Sequence, residues 1–481
     1  MKKKSLAVNA ILNALRNGLN ILFPLITFPY VSRILNVSGL GKYNFSNSIV
    51  SYFLLIAGLG INTYAIREGA KFRDDRKKIT YFANQVFSIN VVSTLIAYIL
   101  LLICLLSISK LHMYTYAILI FSVQIFFTTI GVEWIYSIYE EYAYITTRSI
   151  IFKLCSIALL FIFVRKSTDY LWYVFVTVFA TVGSNVLNLI NIHKYCDLRF
   201  TFQMNLQKHL KPILIIFSSS IAIMIYVNSD VTVLGFLKSD YIVGIYTVSV
   251  KIYNVVKTVL SALLIVTIPR LAMLYGKKKF DEYKIVLKNI FNWLLLLTLP
   301  SVVGLAALSS TVVKIIAGTK YLRATSSLEI LSVALIFSIF GWLFNECVLI
   351  PAKREKYYLI ATIISAVANI ILNLLLIGKW SENAAAFSTV IAEFLNMVIA
   401  MYYSRDIVNF SYLINNPISI FIGCLCIYIE CLIFQSLNLN AFATLVLSMM
   451  SSIISYFIIL IIFKNDKCIT ILNYLKWRKS E

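Results

Sequence analysis

Apolar side chains dominate long stretches of this chain, and short basic turns separate them. A membrane crossing needs about 20 mostly apolar residues to cover about 30 Å of hydrocarbon. Runs of that kind lie near 7–34, 42–66, 79–108, 113–138, 143–165, 169–192, 211–236, 241–268, 286–312, 327–350, 357–378, 383–403, 416–436 and 440–463. The pattern predicts fourteen transmembrane helices. No segment between them is longer than about twenty residues, too short for a soluble domain. The last three runs are rich in β-branched residues, yet each far exceeds the roughly 9–11 residues of a barrel strand, so helices are expected.

Composition agrees. The 481 residues are 60% hydrophobic and 13% charged, with mean hydropathy +0.85. A soluble domain is about 45–50% apolar and about 25% charged, and surface scales too slowly with mass to hide the surplus in compact cores. Lipid is the implied solvent. The formal charge of +22 then points to membrane orientation and not to nucleic acid. With the N-terminus inside, the KKK start, 67–78, 194–211, 270–288, 352–356, Arg405 and 464–479 are cytoplasmic, holding about 29 Lys and Arg against about 10 opposite. An even number of spans places both basic termini in the cytoplasm. The opening MKKK has the charge of a leader, but Asn9, Asn13, Arg16 and Asn20 interrupt the run behind it, so it is read as the first span. The eight cysteines show no C-x-x-C pair and no metal-ligand spacing, and Cys424 and Cys426 read as small apolar residues of a helix.

The chain echoes itself. A shift of 203 brings Gly41-Lys42-Tyr43 onto Gly244-Ile245-Tyr246 and Arg67 onto Arg270; a shift of 213 brings Glu133 onto Glu346 and Tyr144 onto Tyr357. This predicts an N-terminal lobe at 1–193 (spans 1–6), a cytoplasmic linker at 194–210 and a C-terminal lobe at 211–410 (spans 7–12). Two further helices and a basic tail follow at 411–481. Paired repeats of this kind are common in transporters.

Several spans carry polar stripes at helical spacing. The first holds Asn9, Asn13, Arg16, Asn20 and Thr27; the second Asn44, Asn47, Ser51 and Asn62; the fifth Thr146, Ser149, Lys153 and Ser156; the eleventh Thr362, Ser365, Asn369 and Asn373. Small polar residues often only glue helices together, whereas stripes in both lobes suggest a wet cavity. Charges say more. At about 1.5 Å per residue, Arg16, Lys153, Lys251 and Glu393 fall near mid-membrane, where an ion costs at least about 2.5–3.5 kcal/mol. Lys257 lies deeper toward the cytoplasm, within reach of snorkelling. Asp230 and Lys251 fall at similar depth, which suggests an ion pair that either pins two helices or serves transport. Arg16 has no carboxylate at its depth in the first two spans and is the better candidate to grip an anion.

PLITFPYVSRIL (24–35), GKYNFSNSIVSYF (41–53), GLGINTYAIREGAKFRDDR (58–76), GVEWIYSIYEEYAYITTRSI (131–150), HLKPILIIFSSSIAIMIYVNSDVTVLGFL (209–237), VGIYTVSVKIYNVV (243–256), IPRLA (268–272) and LIPAKREKYY (349–358) occur in order. Together they resemble Wzx-type polysaccharide repeat-unit flippases, members of the multidrug/oligosaccharidyl-lipid/polysaccharide superfamily. The resemblance runs to about residue 410; the last two spans match in hydropathy alone. It implies two six-helix bundles around a central cavity plus two added helices. It also implies movement of an undecaprenyl-diphosphate-linked oligosaccharide, of O-antigen, capsule or similar polysaccharide, from the inner to the outer leaflet of a bacterial cytoplasmic membrane. On that footing Arg16, Lys251 and Lys153 are the expected diphosphate ligands, and Asn13, Asn20, Asn47, Asn369 and Asn373 face the sugars. Asp230 and Glu393 are candidates for a salt bridge or for coupling to H+ or Na+. Pro24, Pro29, Pro269 and Pro300 are expected bends. The partners are the lipid-linked glycan, membrane lipid, and the polysaccharide polymerase and assembly machinery, with no nucleic acid, no cofactor and no metal.

Two rivals remain. A cation-coupled drug exporter of the same superfamily calls for an acidic cavity, and mid-membrane cations here slightly outnumber carboxylates. A polytopic polymerase or ligase needs a substantial outer loop, and the longest, 312–326, carries no catalytic motif. His112, His193 and His209 sit at span ends, and Glu140 and Glu141 beside Arg148 read as solvated helix-end charges. With no phosphate-binding loop, the expectation is a transporter and not an enzyme. Arg16→Ala is expected to abolish surface polysaccharide at normal protein level; undiminished export would refute the role given to Arg16.

Overall fold

The computed structural model describes residues 12, 18, 23, 24, 26–408, 417–437, 439–465 and 467–469. Among these residues the protein is all-helical, without a strand. Twelve helical stretches among the described residues are long and apolar enough to cross a membrane. One of them, Glu355–Ser404, is broken at Ser381 (φ 49°, ψ −125°). Its two arms fold back on each other, since the rings of Tyr357 and Tyr403 stack 4.1 Å apart and Arg354 donates to the Tyr403 carbonyl at 2.7 Å. That stretch therefore supplies both the eleventh and the twelfth predicted spans. Most of the first predicted span lies outside the described residues; its final part, 26–34, is helical. Two predicted spans are interrupted: 113–138 breaks at Val132 (φ 34°), and 42–66 at Leu59 and Gly60.

The chain divides into two compact units, Met1–Gly244 and Ile245–Glu481. In the first, Asn36 caps the helix Val37–Gly58 by accepting the Gly39 N–H. The left-handed Leu59 ends it and leaves carbonyls of the last turn without helical partners. The Ala57 carbonyl accepts from Asn90 (2.7 Å) and Ser93 (2.6 Å) of the helix Arg76–Ser107. In hydrocarbon no water can take that role, so Gln85, Ser88, Asn90, Ser93 and Thr94 turn inward while Leu95, Ile99, Leu102 and Leu106 lie exposed. His209 lies near the start of the helix Leu206–Leu237, at a span end as expected. It is fully buried, 2.7 Å from the Tyr64 hydroxyl and 2.9 Å from Gln85 Oε1, and so ties three helices together.

The stretch predicted as a linker, 194–210, is docked along the helix Arg76–Ser107. Backbone N–H groups of Asp197, Arg199 and Thr201 donate to Thr80 (3.4 Å), Asn84 (2.8 Å) and Ser88 (2.8 Å). Gln85 donates to the Gln203 carbonyl at 3.0 Å. Four residues of helix advance about 6.0 Å and two residues of extended chain about 6.6 Å, so alternate residues of one meet every fourth residue of the other.

In the second unit, helices Pro417–Ser436 and Ala441–Ile462 pack on Phe280–Ala307. Tyr456 donates to the Leu296 carbonyl at 3.1 Å and Gln435 to the Ala307 carbonyl at 2.6 Å. Ala324–Trp342 continues into a π-helical segment, Leu343–Leu349.

The internal echo extends to the backbone. The Glu141 N–H bonds the Tyr136 carbonyl and that of Glu140 the Ser137 carbonyl. Shifted by 213, Arg354 bonds Leu349 and Lys353 bonds Ile350. Glu140 (φ 56°) and Lys353 (φ 59°) are both left-handed, and the helices that follow start at Tyr142 and Glu355, again 213 apart. Under the shift of 203, Val37 meets Asp240, both first residues of helices. These helix starts also touch. A Cβ on Gly41 would lie 1.8 Å from the Asp240 carbonyl oxygen, and one on Gly244 2.2 Å from the Val37 carbonyl oxygen. Because the shift maps Gly41 onto Gly244, the two contacts are reciprocal.

Gly41→Ala is therefore expected to destabilise the purified chain by about 1–3 kcal/mol through overpacking. Gly58→Ala, where no atom lies within 4 Å of the added Cβ, should be neutral or gain a few tenths. Thermal melting in detergent reads the difference, and equal midpoints would contradict the close crossing.

Candidate functional site

Polar chemistry in the second unit gathers where the helix Asp240–Gly276 meets the second arm of the Ser381 hairpin. Tyr246, Tyr253 and Lys257 recur at intervals of seven and four, and Thr389, Glu393 and Asn396 at four and three, so each set occupies one helix face. The faces meet as a ladder. The Tyr246 hydroxyl lies 3.4 Å from Thr389 Oγ1. Tyr253 donates to Glu393 Oε1 at 3.3 Å, and Lys257 Nζ donates to the same oxygen at 3.0 Å. Asn345 of the π-helical segment donates to Asn396 Oδ1 at 2.8 Å, and the Lys257 ammonium lies 5.6 Å from the centre of the Tyr253 ring.

The Glu393 side chain is 9% exposed and that of Lys257 28%. The carboxylate thus sits inside the unit, held by two donors, while the ammonium keeps an accessible side. Lys257, placed by its depth within reach of snorkelling, turns to a carboxylate, because an unpaired charge beside an apolar core is costly. Tyr358 stands within electrostatic reach of both members of the pair and of Glu346.

Other candidates are distributed as follows. Lys251 is half-buried on Asp240–Gly276. Asn369 and Asn373 are buried on the first arm of the hairpin, with Asn373 Nδ2 donating to Asn369 Oδ1 at 3.0 Å. Lys153 and Asn47 are half-buried in the first unit, where Asp230 is buried. Near Asp230, the Tyr52 hydroxyl meets Thr232 at 3.1 Å, and Thr232 donates to Ser48 at 3.2 Å. Arg16, Asn13 and Asn20 lie outside the described residues, as does Asn9. Asp230 belongs to the first unit and Lys251 to the second.

Arg148, the neighbour of Glu140 and Glu141 in sequence, is itself buried: it is 4% exposed, bonds Asn188, and pairs with Glu133 at 3.4 Å. Asn188 in turn donates to the Gly131 carbonyl at 2.8 Å, and its own carbonyl accepts from Tyr136 at 2.7 Å. The break at Val132 creates this demand, since it strands carbonyls that buried polar side chains must satisfy. Glu140 instead meets Arg73 at 2.9 Å at a more exposed position. At the matching turn of the second unit, Arg354 pairs with Asp406 at 2.5 Å, which holds the Asp406 carboxyl below the usual carboxylate range. Among the described residues no cluster of His, Cys, Asp and Glu is suited to a metal ion.

Residues 6–275, more than half of the chain, match the family described as polysaccharide biosynthesis protein. The chain belongs to that family. A relative named "Putative O-antigen transporter", from Escherichia coli (strain K12), is 24% identical over 406 residues, covering 84% of this polysaccharide biosynthesis protein and 98% of the relative. Among solved structures, "Lipid II flippase MurJ, inward closed conformation" superposes with a TM-score of 0.76 at 17% identity, over 96% of this chain and 99% of that one. An inward-facing multidrug resistance MATE family transporter of the MOP superfamily superposes at 0.56 with 14% identity, over 80% and 97%. The family member is thus an all-α, multi-pass membrane protein with the fold of these transporters.

Removing one member of the Lys257–Glu393 pair strands the other. Glu393→Gln is expected to lower the stability of the family member by about 3 kcal/mol, and the double variant Lys257→Met/Glu393→Leu to recover most of the loss. Melting temperatures in detergent test the coupling; additive losses would show that the two charges do not stabilise each other.

Proposed function

We propose that this chain is a flippase that moves undecaprenyl-diphosphate-linked oligosaccharide repeat units, of O-antigen, capsule or a similar surface polysaccharide. Movement runs by alternating access from the inner to the outer leaflet of the bacterial cytoplasmic membrane, with both termini in the cytoplasm. The observation that carries the reading is family membership joined to a relative named as an O-antigen transporter that aligns over nearly its whole length. The chemistry supports it. A lipid-linked diphosphate is multiply anionic and cannot cross hydrocarbon bare, so a carrier must offer cations and polar walls while the polyprenyl tail stays in lipid. Arg16, Lys153 and Lys251 are assigned to the diphosphate, and the Asn and Ser stripes to the sugars. An inside-negative potential drives net negative cargo outward, by roughly 2.3 kcal/mol per charge per 100 mV. Asp230 or Glu393 is the site for any coupling to H+ or Na+. No bond of the cargo is made or broken, and the polymerase and assembly machinery act on the delivered unit.

Deletion and complementation in the native host test the reading. Loss of the protein is expected to leave lipid-linked repeat units accumulating on the cytoplasmic face, with full restoration by the wild-type chain. Normal surface glycan combined with altered drug tolerance would instead favour export of cationic drugs.

A further inference from the structure

The Lys257–Glu393 pair holds a feature that neither helix packing nor the flippase reading explains. Its two members are unequally buried: the carboxylate is 9% exposed and doubly bonded, and the ammonium is 28% exposed with N–H groups beyond the one given to Glu393. The accessible side of Lys257 is not a lipid-facing one. Lys251, Asn254, Lys257 and Thr258 recur three to four residues apart on the same helix, and all four are half-buried or exposed, which makes a polar strip that hydrocarbon does not tolerate. The helix thus presents a row of cationic and amide groups, in which Lys257 has Glu393 as its resident anion.

Resting on the flippase reading, we infer that Lys257 is a phosphate-binding residue and that Glu393, as its built-in counter-ion, sets the charge an incoming lipid must carry to bind there. A bilayer offers an unguarded lysine a vast excess of phosphodiester lipids, each with one negative charge. Replacing Glu393 by such a lipid exchanges one monoanion for another and gains little. A diphosphate ester carries at least two charges, so it gains a second attraction on engaging the ammonium and outcompetes the carboxylate. Tyr253 keeps Glu393 in place for the exchange, because its hydroxyl still holds the carboxylate when Lys257 turns away. The filter works by raising the cost of the wrong partner, which is how discrimination arises between ligands sharing most of their chemistry.

The test uses the full-length chain in detergent, with farnesyl diphosphate as probe and phosphatidylglycerol as competitor. The wild type is expected to bind farnesyl diphosphate and to resist the competitor. Glu393→Gln should retain diphosphate binding but lose discrimination by about tenfold, a change worth one factor of ten in the ratio of affinities. Lys257→Gln should lose about tenfold in diphosphate affinity, and Lys257→Arg should restore most of it. Tyr253→Phe, which spares both charges, should shift discrimination in the direction of Glu393→Gln by a smaller amount; it carries the test if the glutamate variant does not fold. Unchanged diphosphate affinity in Lys257→Gln, or unchanged discrimination in both Glu393→Gln and Tyr253→Phe, overturns the inference while leaving the flippase reading intact. A wild type blind to farnesyl diphosphate overturns both.

Discussion

Hydrocarbon offers no water to a polar atom, and that single deprivation organises this protein. Every carbonyl freed by a helix break and every ionised side chain away from the surface must find its partner within the chain. Where the helix Val37–Gly58 stops, two side chains of a neighbouring helix serve the Ala57 carbonyl. Where the backbone turns at Val132, Asn188 enters to satisfy the Gly131 carbonyl, and Arg148 holds the Asn188 side chain. The charged pair on the helix Asp240–Gly276 obeys the same rule. Apolar residues fill the remaining positions, including those that face outward, so the usual inside-out pattern of a soluble domain is lost.

The repeat shows how such a solution is reused. Two turns 213 residues apart place left-handed residues and the same pair of backbone bonds at equivalent points, although their side chains differ. Glu140 and Lys353 carry opposite charges and neither is glycine, yet each adopts a conformation costly to most residues. Geometry has been kept while chemistry diverged. Glu140 of the first turn pairs with Arg73 and Arg354 beside the second with Asp406, so the repeat supplies a scaffold on which each half bears different charges.

Much of this was legible in sequence, for a physical reason. Hydropathy reports transfer free energy into lipid directly, and a 20-residue run leaves little choice but a helix. The reversal at Ser381 was legible, since Gly378, Lys379, Glu382 and Asn383 separate two apolar runs. Breaks inside a run were not: Val132 interrupts an apolar stretch, and the π-helical segment at Leu343–Leu349 has no proline or glycine to announce it. Partnerships were harder still. Lys257 and Glu393 are separated by 136 positions, and depth along a span gave each a level in the membrane without a direction around its helix. Arg148 stands close in sequence to Glu140 and Glu141, whereas its partners are Glu133 and Asn188. The matched polar positions of the Tyr253 and Glu393 faces were a readable signal: both recur at helical spacing, and aligning the two stripes pairs them.

The segment 197–201 has a property that its role as a connector conceals. Its donors are alternate residues, and its acceptors Thr80, Asn84 and Ser88 stand at every fourth position of a helix, so the two chains mesh like a rack and pinion. A ratchet of this kind counts in twos. An insertion of two residues slides the strip by one tooth and leaves it engaged, while an insertion of one turns the donating N–H groups to the wrong side and disengages everything beyond it. Parity, more than length, governs what evolution or an engineer can change here.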